Sequence, residues 1–390
     1  MEPLSPNDGQ HRDYDYLIVG AGLSGLVTAE RLSRKGISAL VIDQRDHLGG
    51  NCFDKADRNG VLYHVYGPHY FRTSYPEVKE YLSQFTEWHA ATYQVRVVSG
   101  SKLWSFPINL ETFEQWLGRP STEEEFKAHL AALPKLESIN NSRDVIVSQV
   151  GEEFYNLFYK DYTRKQWGVP AEALNPEVCK RIPIRTNRDT RYIVGDFQAL
   201  PSDGYTAMME RMWAKTVEQE PRSRMQLGTS YQQVLARKVS FRHLVYTGPL
   251  DEYFDCRFGI LPYRSLRFEL ERYTPEQLTY KGHPGFAQPY LQINYANESP
   301  YTRTVEVKHI TGQKTDHSTV VREYPQDHKP GGNEPYYPIP SEMTRNLADQ
   351  YRAMAKAEPA TTFLGRMALY RYMNMDEVVR EALLKSVDLI

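Results

Sequence analysis

The clearest pattern of apolar and polar residues lies near the start of the chain. The run YLIVG, which ends at Gly20, is apolar and contains β-branched residues, as a buried strand does. Apolar residues at helical spacing then predict a helix over residues 23–35, and SALVID predicts a second strand that ends at Asp43. Strand, helix and strand in this order predict a βαβ unit of the Rossmann type.

Later segments alternate between helical and strand-like patterns. Charge-rich helical patterns cover residues 75–88 and 122–167, with Ser121 as the expected cap of the helix in STEEEFKAHLAAL. TYQVRVVSGSKLWSFPI and AQPYLQINYANESPYTRTVEVKHI alternate as strands do. VSFRHLVYTGPLDEYF predicts a strand that returns the chain to the first unit, and an amphipathic helix is predicted from Met375. The first domain is therefore expected to be discontinuous.

Three glycines follow the first strand in the spacing G-x-G-x-x-G. Gly20 permits a tight turn, Gly22 lets the backbone approach a pyrophosphate, and Gly25 lets the helix pack closely on the strand. The pyrophosphate would lie at the positive N-terminus of the helix, and Asp43 would bind ribose hydroxyls. The motif alone is a weak signal, but its strand, helix and acid together predict dinucleotide binding.

Two further features favour FAD over NAD. The acid, arginine and glycine pair of DQRDHLGGN resemble the signature of FAD-containing flavoproteins, although the usual acid is Glu rather than Asp43. Near the other end, Gly365 and Arg366 precede the amphipathic helix, and in that flavoprotein class a late glycine returns to the flavin ring. An ordinary terminal strand, turn and helix is the alternative interpretation. No second G-x-G-x-x-G is present for a tightly bound NAD.

Composition excludes several function classes. The 390 residues include 47 Lys and Arg against 49 Asp and Glu, which does not indicate a basic nucleic-acid-binding face. Three cysteines argue against a disulfide framework and favour a reducing compartment. No apolar run approaches the roughly 20 residues of a bilayer span, and the start MEPLSPNDGQHRD lacks the apolar core of a signal peptide. We expect a cytoplasmic protein without membrane insertion, and no metal-ligand spacing is apparent.

Aromatic and basic residues cluster between the pieces of the predicted nucleotide domain. NLFYKDYTRKQWGVP carries Phe158, Tyr159 and Tyr162, which could form a platform for a nucleobase, and Trp167, which could cover a sugar ring. A helix that simply buries its aromatic residues is the alternative. KRIPIRTNRDTRY holds four arginines, most of them expected to face solvent, whereas Arg303 lies beside a strand as a fixed cation would. Cations near a flavin favour a polyanionic substrate, such as a nucleotide sugar, over an amine.

A series of short segments resembles the bacterial UDP-galactopyranose mutase family. They run in order from residue 20 to residue 376: GAGLSG, HLGGN, YGPHYFRT, FPIN, YTRKQWG, RIPIR, LPSDGYT, YTGPLDEYF, LPYRSLRFE, YTRTVEVKH, EPYYPI and GRMALYRYMNMD. One departure is Arg72, where many relatives carry His. The resemblance covers nearly the whole chain.

The resemblance implies a flavoenzyme without net redox chemistry. It implies interconversion of UDP-galactopyranose and UDP-galactofuranose, which supplies galactofuranose for surface glycans, with FAD that is active when reduced. Flavin N5 would attack the anomeric carbon as UDP leaves, and the covalent flavin–galactose adduct would open and reclose through a different hydroxyl. Family members are commonly oligomers, so we expect a homo-oligomer.

The resemblance also implies site residues, motif by motif. Tyr162 and Phe158 would pack on uracil, Trp167 would lie by the galactose, and Arg181 and Arg303 would bind the diphosphate. The implied catalytic residues are Arg181, Arg303 and His69, the last near flavin N5. The implied substrate-binding residues are Phe158, Tyr162, Thr163, Trp167, Arg181, Tyr192, Asn294, Arg303, Tyr337, Tyr372 and Asn374. The implied cofactor-binding residues are Gly20, Gly22, Gly25, Asp43, Gly50, Asn51, His69, Gly248, Gly365, Arg366 and Met375.

The predicted fold class is α/β, with a discontinuous Rossmann-type FAD-binding domain, a helical domain and a twisted antiparallel β-sheet domain. Residues 1–79, 222–260 and 342–390 are expected in the FAD-binding domain, residues 80–92 and 111–178 in the helical domain, and residues 93–110, 179–221 and 261–341 in the sheet domain, with a mobile loop at 178–192. A flavin-dependent amine oxidase or desaturase would share the nucleotide domain and is the main alternative. A non-enzymatic nucleotide-sugar binder is the second.

Overall fold

The computed structural model describes residues 13–180, 182–193, 195–280, 284–339 and 341–390. The strands in these ranges are β1 (Tyr14–Val19), β2 (Ala39–Ile42), β3 (Asp54–Ala56), β4 (Leu62–His64), β5 (Phe71–Thr73), β6 (Trp88–His89), β7 (Val95–Ser99), β8 (Lys102–Phe106), β9 (Phe197–Pro201), β10 (Arg224–Gln226), β11 (Phe241–Tyr246), β12 (Tyr263–Tyr273), β13 (Gln292–Tyr295), β14 (Arg303–Val305), β15 (Ser318–Asp327), β16 (Tyr337–Pro338) and β17 (Thr361–Phe363).

The α-helices in the same ranges are α1 (Leu23–Ser33), α2 (Pro76–Leu82), α3 (Leu110–Leu117), α4 (Glu123–Ala131), α5 (Ser142–Phe154), α6 (Lys160–Trp167), α7 (Glu177–Lys180), α8 (Tyr205–Gln219), α9 (Tyr231–Ala236), α10 (Leu250–Tyr253), α11 (Pro275–Tyr280), α12 (Lys308–Thr311), α13 (Glu342–Ala357), α14 (Gly365–Ala368) and α15 (Met375–Leu389). A π-helical turn, Tyr155–Tyr159, joins α5 to α6. None of these helices combines the length and the apolar character that crossing a bilayer requires.

The first compact unit comprises residues up to 50 together with 206–255 and 351–390. Its described strands form a five-stranded sheet in the order β10-β2-β1-β11-β17, and every neighbouring pair is parallel. Leu17, Leu40, Ile42 and Leu244 are buried in its core. This is the predicted Rossmann-type domain, and β11 and β17 confirm that later segments return to it.

The second compact unit comprises residues 51–205 and 256–350. Its main sheet, within the described residues, is seven-stranded in the order β16-β12-β15-β14-β13-β7-β8. Neighbouring strands are antiparallel apart from the parallel pair β13–β7. Asn294 pairs with Arg303 across β13 and β14, and Arg303 pairs with Glu323 across β14 and β15. The register therefore puts three polar residues side by side on adjacent strands.

The compact units differ from the predicted three-domain division. Residues 51–79 were expected with the nucleotide domain, but β5 pairs with β9, and Asp57 accepts a hydrogen bond from the Thr319 hydroxyl, so they join the second unit. Residues 206–221 were expected in the sheet domain but belong to the first unit, because α8 leads into β10 of the parallel sheet. The helical segment and the antiparallel sheet fall in one compact unit.

Two local predictions are also corrected. The helix expected over residues 75–88 is shorter, since α2 is followed by the strand β6. The cap of α4 is Thr122 rather than Ser121, because the Thr122 hydroxyl accepts a hydrogen bond from Glu125 N at 3.2 Å. Ser121 donates instead to the Glu125 side chain at 2.6 Å. Ser121 and Thr122 are adjacent and both carry a hydroxyl group, so the sequence alone could not show which of them caps the helix.

Candidate active site

The turn between β1 and α1 leaves an open backbone cradle in the first unit. Gly20 has a φ of +109°, and a Cβ there would lie 2.0 Å from Thr247 Oγ1. A Cβ on Gly25 would lie 1.9 Å from the Gly20 carbonyl oxygen, so the turn and the helix can pack only with glycine at both positions. Gly22 faces Gly50, and a Cβ on Gly22 would lie 3.6 Å from Gly50 Cα. This glycine pair keeps free the space beside the N-terminal amides of α1, where a pyrophosphate binds well.

Asp43 links the end of β2 to this turn. Its Oδ2 accepts a hydrogen bond from Ala21 N, and its Oδ1 accepts one from Arg45 N, both at 2.9 Å. The side chain is buried, yet each carboxylate oxygen can accept a second hydrogen bond. The backbone therefore fixes an acceptor that suits a ribose hydroxyl.

The late glycine lies against the same helix. Gly365 has a φ of +85°, and a Cβ there would lie 2.6 Å from Ser24 Oγ in the first turn of α1. Arg366 donates to the Met373 carbonyl at 2.6 Å, and its guanidinium lies 5.3 Å from the centre of the Tyr372 ring. The two ends of the first unit thus meet at the cradle.

Asn374 has a structural partner that the sequence did not reveal. It is the N-cap of α15, whose first residue is Met375, and its Nδ2 and backbone N–H donate to Glu377 Oε2 at 3.0 Å and 2.7 Å. Gly248 follows β11, and a Cβ there would lie 2.7 Å from the Tyr246 hydroxyl. Local contacts thus account for both residue types: Asn374 caps α15, and Gly248 leaves room for the Tyr246 hydroxyl.

In the second unit, the end of α6 holds Trp167 in a fixed position. The helix stops at Gly168, whose φ is +73°, and a Cβ there would lie 2.6 Å from an Arg264 nitrogen. Arg264 Nε donates to the Gln166 carbonyl at 3.0 Å, which satisfies an acceptor at the negative end of the helix. The buried Trp167 ring lies 6.2 Å from that of Tyr337 on β16.

The residues before Trp167 differ in exposure. Tyr162 is half-buried, whereas Thr163 is buried. Phe158 is only 3% exposed; its ring stacks on Phe154 at 5.9 Å and meets the Trp104 ring edge-on at 5.5 Å. Phe158 is thus part of an aromatic core, and Tyr162 is the more accessible of the two residues predicted to contact uracil.

Arg303 is a buried cation with a dedicated partner. Its Nε and Nη2 donate to Glu323 Oε1 at 2.8 Å and 2.6 Å. Burial alone would lower the pKa of Arg303, but the Glu323 carboxylate and the nearby hydroxyls of Tyr162 and Tyr337 raise that pKa well above its ordinary value. Glu323 Oε2 is buried and has no hydrogen-bond partner in the described ranges. The site thus holds a permanent positive charge with N–H groups beyond those that Glu323 uses.

A hydrogen-bonded chain orients Asn294 beside Arg303. Asn294 Oδ1 accepts from Gln292 Nε2 at 2.7 Å, and Gln292 Oε1 accepts from the Tyr93 hydroxyl. Tyr192 N–H donates to the Tyr93 carbonyl at 3.0 Å, and the two tyrosine rings lie 5.9 Å apart. Tyr93 thus connects two predicted substrate residues: its hydroxyl reaches Asn294 through Gln292, and its backbone carbonyl accepts from Tyr192.

His69 is fixed by a second histidine. Its backbone N–H donates to His64 Nδ1 at 2.9 Å, which assigns the proton of neutral His64 to Nε2. Burial lowers the pKa of His64 to about 4, so this imidazole is neutral at ordinary pH. His69 Nδ1 lies 2.8 Å from the Gly67 carbonyl, an acceptor, so Nδ1 carries a proton.

The loop with four arginines is only partly described. Arg181 lies outside the described residues. Arg188 donates to Glu114 at 2.6 Å, and Arg191 pairs with Asp189 at 2.7 Å. Both are largely exposed, whereas the Arg185 side chain is only 12% exposed and lies 3.5 Å from Asp189. The expected exposure therefore holds for two of the three arginines that are described.

The predicted residues divide between the two units. The first unit brings together Gly20, Gly22, Gly25, Asp43, Gly50, Gly248, Gly365, Arg366, Tyr372, Asn374 and Met375, and the second contains Asn51, His69, Phe158, Tyr162, Thr163, Trp167, Tyr192, Asn294, Arg303 and Tyr337. Sequence reasoning missed Glu323, His64 and Tyr93. The residues around Glu323, TVVREY, do not alternate between polar and apolar, so no local pattern showed that its carboxylate would be buried. Among the residues described, no three His, Cys, Asp or Glu side chains are grouped to hold a metal ion.

Comparison with known proteins identifies the family. The model of the UDP-galactopyranose mutase family matches residues 157–372, more than half of the chain. A Klebsiella pneumoniae protein described as a probable UDP-galactopyranose mutase is 33% identical over 378 residues, which cover 95% of this chain and 93% of that protein. The chain belongs to the UDP-galactopyranose mutase family. It is accordingly an isomerase, and the amine oxidase and desaturase alternative is not supported.

Three other likenesses concern the fold and a relative that is named for a different substrate. A crystal structure of reduced UDP-galactopyranose mutase superposes with a TM-score of 0.74 at 17% identity and covers 96% of this chain and 93% of that one, which confirms the fold. The model of NAD(P)-binding Rossmann-like domains matches residues 18–85. Escherichia coli dTDP-fucopyranose mutase is 30% identical over 94% of this chain and 96% of its own length. With its glycine cradle, the Rossmann-type unit of this family member is an FAD-binding domain.

Proposed function

We propose that this chain interconverts UDP-galactopyranose and UDP-galactofuranose with reduced FAD, and that the product supplies galactofuranose for surface glycans. Its membership of the mutase family supports this assignment. The observation that carries it is the buried Arg303–Glu323 pair, because a fixed cation surrounded by tyrosines suits a diphosphate far better than an amine.

The first unit would hold the cofactor. The pyrophosphate of FAD would lie at the N-terminus of α1 between Gly22 and Gly50, and Asp43 would accept a ribose hydroxyl. Gly365 and Arg366 would approach the flavin ring, with Gly20, Gly25, Gly248 and Met375 as further cofactor residues of this unit. Asn51, which belongs to the second unit, is proposed as a cofactor residue as well. When bound and reduced, FAD supplies a nucleophilic ring nitrogen for the anomeric carbon of galactose.

Side chains of the second unit would bind the nucleotide sugar. Tyr162 would stack on uracil with Phe158 behind it and Thr163 nearby, and Trp167 would lie against the galactose ring. Asn294 would face sugar hydroxyls, and His69 would lie near flavin N5. We also propose that Asn374 contributes from its position at the start of α15.

Charge control at the diphosphate would be the main catalytic contribution of the protein. When UDP leaves, negative charge develops on its terminal phosphate, and a preorganised cation stabilises that charge. Arg303 is held in its charged form, and Arg181 would add a second cation. The hydroxyls of Tyr192, Tyr337 and Tyr372 would donate to phosphate oxygens.

A second candidate substrate follows from the relative that is a dTDP-fucopyranose mutase. That substrate also carries a diphosphate, so Arg303 would serve both equally well. The two substrates differ in the base methyl group, the ribose 2′-hydroxyl and the sugar 6-hydroxyl. The contacts of Tyr162 and Trp167 would therefore decide between them.

The direct test is turnover by the purified protein. After reduction with dithionite, it should convert UDP-galactofuranose to UDP-galactopyranose, as followed by chromatography, and the oxidised protein should be inactive. UDP-galactose should react at least about tenfold faster than dTDP-fucose, since a pocket built for a hydroxyl rejects an analogue that lacks it. Oxygen consumption with an amine, or a preference for dTDP-fucose, would contradict the assignment.

Two wider properties complete the proposal. The sparse cysteines support action in the reducing cytoplasm, where nucleotide sugars are made. We also propose that the enzyme works as a homo-oligomer, as the family resemblance implies, and the mass of the native protein in solution would decide this.

A further inference from the structure

Lys165 lies within a ring of backbone carbonyl groups. It belongs to α6, between Tyr162 and Trp167. Its Nζ lies within hydrogen-bond distance of the carbonyl oxygens of residues 295, 297, 299 and 301, at 2.8, 2.9, 2.7 and 3.1 Å respectively, so its three N–H groups are shared among four acceptors. All four belong to the segment that begins at the last residue of β13 and leads into β14.

The four carbonyl dipoles need a cation between them. Oxygens that converge on one point repel each other, and a ring of backbone carbonyls is the arrangement that replaces the hydration shell of a bound monovalent ion. Burial lowers the pKa of Lys165 to about 8, while four acceptors favour its charged form. The ammonium is therefore charged at neutral pH and takes the place of an ion in the loop.

The loop connects the residues that hold the sugar and the phosphate. Asn294 precedes it on β13, Arg303 follows it on β14, and the two residues pair across the strands. Thr302 N–H, at the end of the loop, donates to the Glu323 carbonyl at 2.9 Å. One side chain of α6 thus sets where the hairpin of Arg303 lies relative to the helix that carries Tyr162.

We propose that Lys165 is a positioning residue, whose ammonium fixes the distance between the nucleobase platform of α6 and the diphosphate cation Arg303. This inference rests on the proposed function for its effect on turnover. Its effect on the loop is independent of any ligand. Displacement of a catalytic group by about 1 Å is enough to lower the rate by roughly 100-fold.

The test compares Lys165→Met with the wild-type holoenzyme. Without the ammonium, hydrogen exchange of the amides of residues 296–302 should speed up, UDP should bind at least about tenfold more weakly by calorimetry, and kcat should fall by about 10- to 100-fold. FAD content should not change. Lys308→Met is the matched control, because Lys308 also donates to two backbone carbonyls, those of Gly285 and His317, in the same unit. It should leave UDP affinity unchanged.

Chemical rescue separates positioning from a general loss of packing. The atoms that Lys165→Ala removes, three carbons and the ammonium, have the shape of n-propylammonium. Added n-propylammonium should therefore restore a large part of UDP affinity and kcat. Tetramethylammonium, which has no N–H donors, should not restore either, and Lys165→Met, whose side chain fills the space, should not respond to either ion.

Three results would overturn the inference. The first is that Lys165→Met has the same hydrogen-exchange rates and the same UDP affinity as the wild type. The second is that both ions rescue Lys165→Ala equally. The third is that neither variant folds, which would make the ammonium a general requirement for folding. If the wild type binds UDP but does not isomerise UDP-galactose, the proposed reaction fails, while the exchange and binding results still decide the role of Lys165. If the wild type does not bind UDP, hydrogen exchange alone decides it.

Discussion

At the scale of single residues, burial and pairing control charge in the second unit. Burial alone would lower the pKa of Arg303, but the carboxylate of Glu323 on the neighbouring strand raises that pKa and keeps the guanidinium charged. His64 has no carboxylate to compensate for its burial, so its pKa falls and it acts as a neutral acceptor for the His69 backbone. Similar burial thus produces a permanent cation in one place and a neutral ring in the other.

Replacing Arg303 with Lys tests whether the guanidinium fork matters. An ammonium keeps the charge, but it cannot present a planar fork to Glu323 and a phosphate together. We expect kcat/KM for UDP-galactofuranose to fall by about 100-fold, in the range found when one preorganised donor is lost, while FAD stays bound. Steady-state kinetics and the flavin absorbance measure the two properties.

Arg267→Lys is the control for that variant. Arg267 pairs with Glu269 on the exposed face of β12, where an ion pair contributes little. Its kinetics should match those of the wild type. A rate for Arg303→Lys within threefold of the wild type would contradict the role given to Arg303.

At the scale of elements, the first strand, turn and helix can pack together only because certain positions lack a side chain. Gly20 and Gly25 allow backbone groups to approach each other, and any side chain there would strike backbone or Thr247. Gly22 is different, because its φ is −86° and a Cβ would make only ordinary contact with Gly50. The backbone leaves room for a Cβ at Gly22, and we propose that the ligand is what requires glycine there.

Gly22→Ala should therefore fold and yet bind FAD poorly. The added methyl group occupies the space of the pyrophosphate at the N-terminus of α1, and we expect at least about a tenfold loss of FAD affinity, or roughly 1.4 kcal/mol. Titration of apoprotein with FAD, followed by flavin fluorescence, measures this affinity. Circular dichroism checks that the fold is intact.

Gly195→Ala is the matched control for the cradle. Gly195 lies in the second unit, and a Cβ there would be 3.7 Å from its nearest neighbour, in ordinary contact. Its FAD affinity should equal that of the wild type. If Gly22→Ala binds FAD equally well, the cradle is not where the pyrophosphate lies.

At the scale of the whole molecule, the FAD-binding unit is assembled from three separate parts of the chain. The central strand β1 pairs with β2 from the same segment and with β11 from a distant one, and β17 completes the sheet. Gly365 reaches α1 from the last segment. A ligand at this cradle therefore stabilises all three segments together.

Removal of FAD should weaken these segments as one group. Hydrogen exchange at residues 13–50, 206–255 and 351–390 should speed up together in apoprotein and slow down again when FAD is added. At a free FAD concentration 100 times its dissociation constant, the stabilisation is about 2.7 kcal/mol, and the melting temperature should rise accordingly. Protection of only one segment, or a melting temperature independent of FAD, would contradict a shared binding unit.

The sequence by itself determined the local elements and the nucleotide cradle. Apolar periodicity gave β1, α1, β2 and α15 nearly to the residue, and the glycine spacing gave the turn, because helix period and positive φ are local requirements. Motif resemblance gave the family, and it implied a set of site residues that remains a prediction. The sequence did not separate Ser121 from Thr122, or reveal that residues 51–79 pair with β9.

Only the tertiary structure decided which residues act on one another. Arg303 meets Glu323 because β14 pairs with β15 in one register, and Lys165 meets four carbonyls of a loop more than a hundred residues away along the chain. A shift of one residue in a strand would turn each side chain to the opposite face. Such pairings depend on how distant strands align, and no local pattern of residues contains that information.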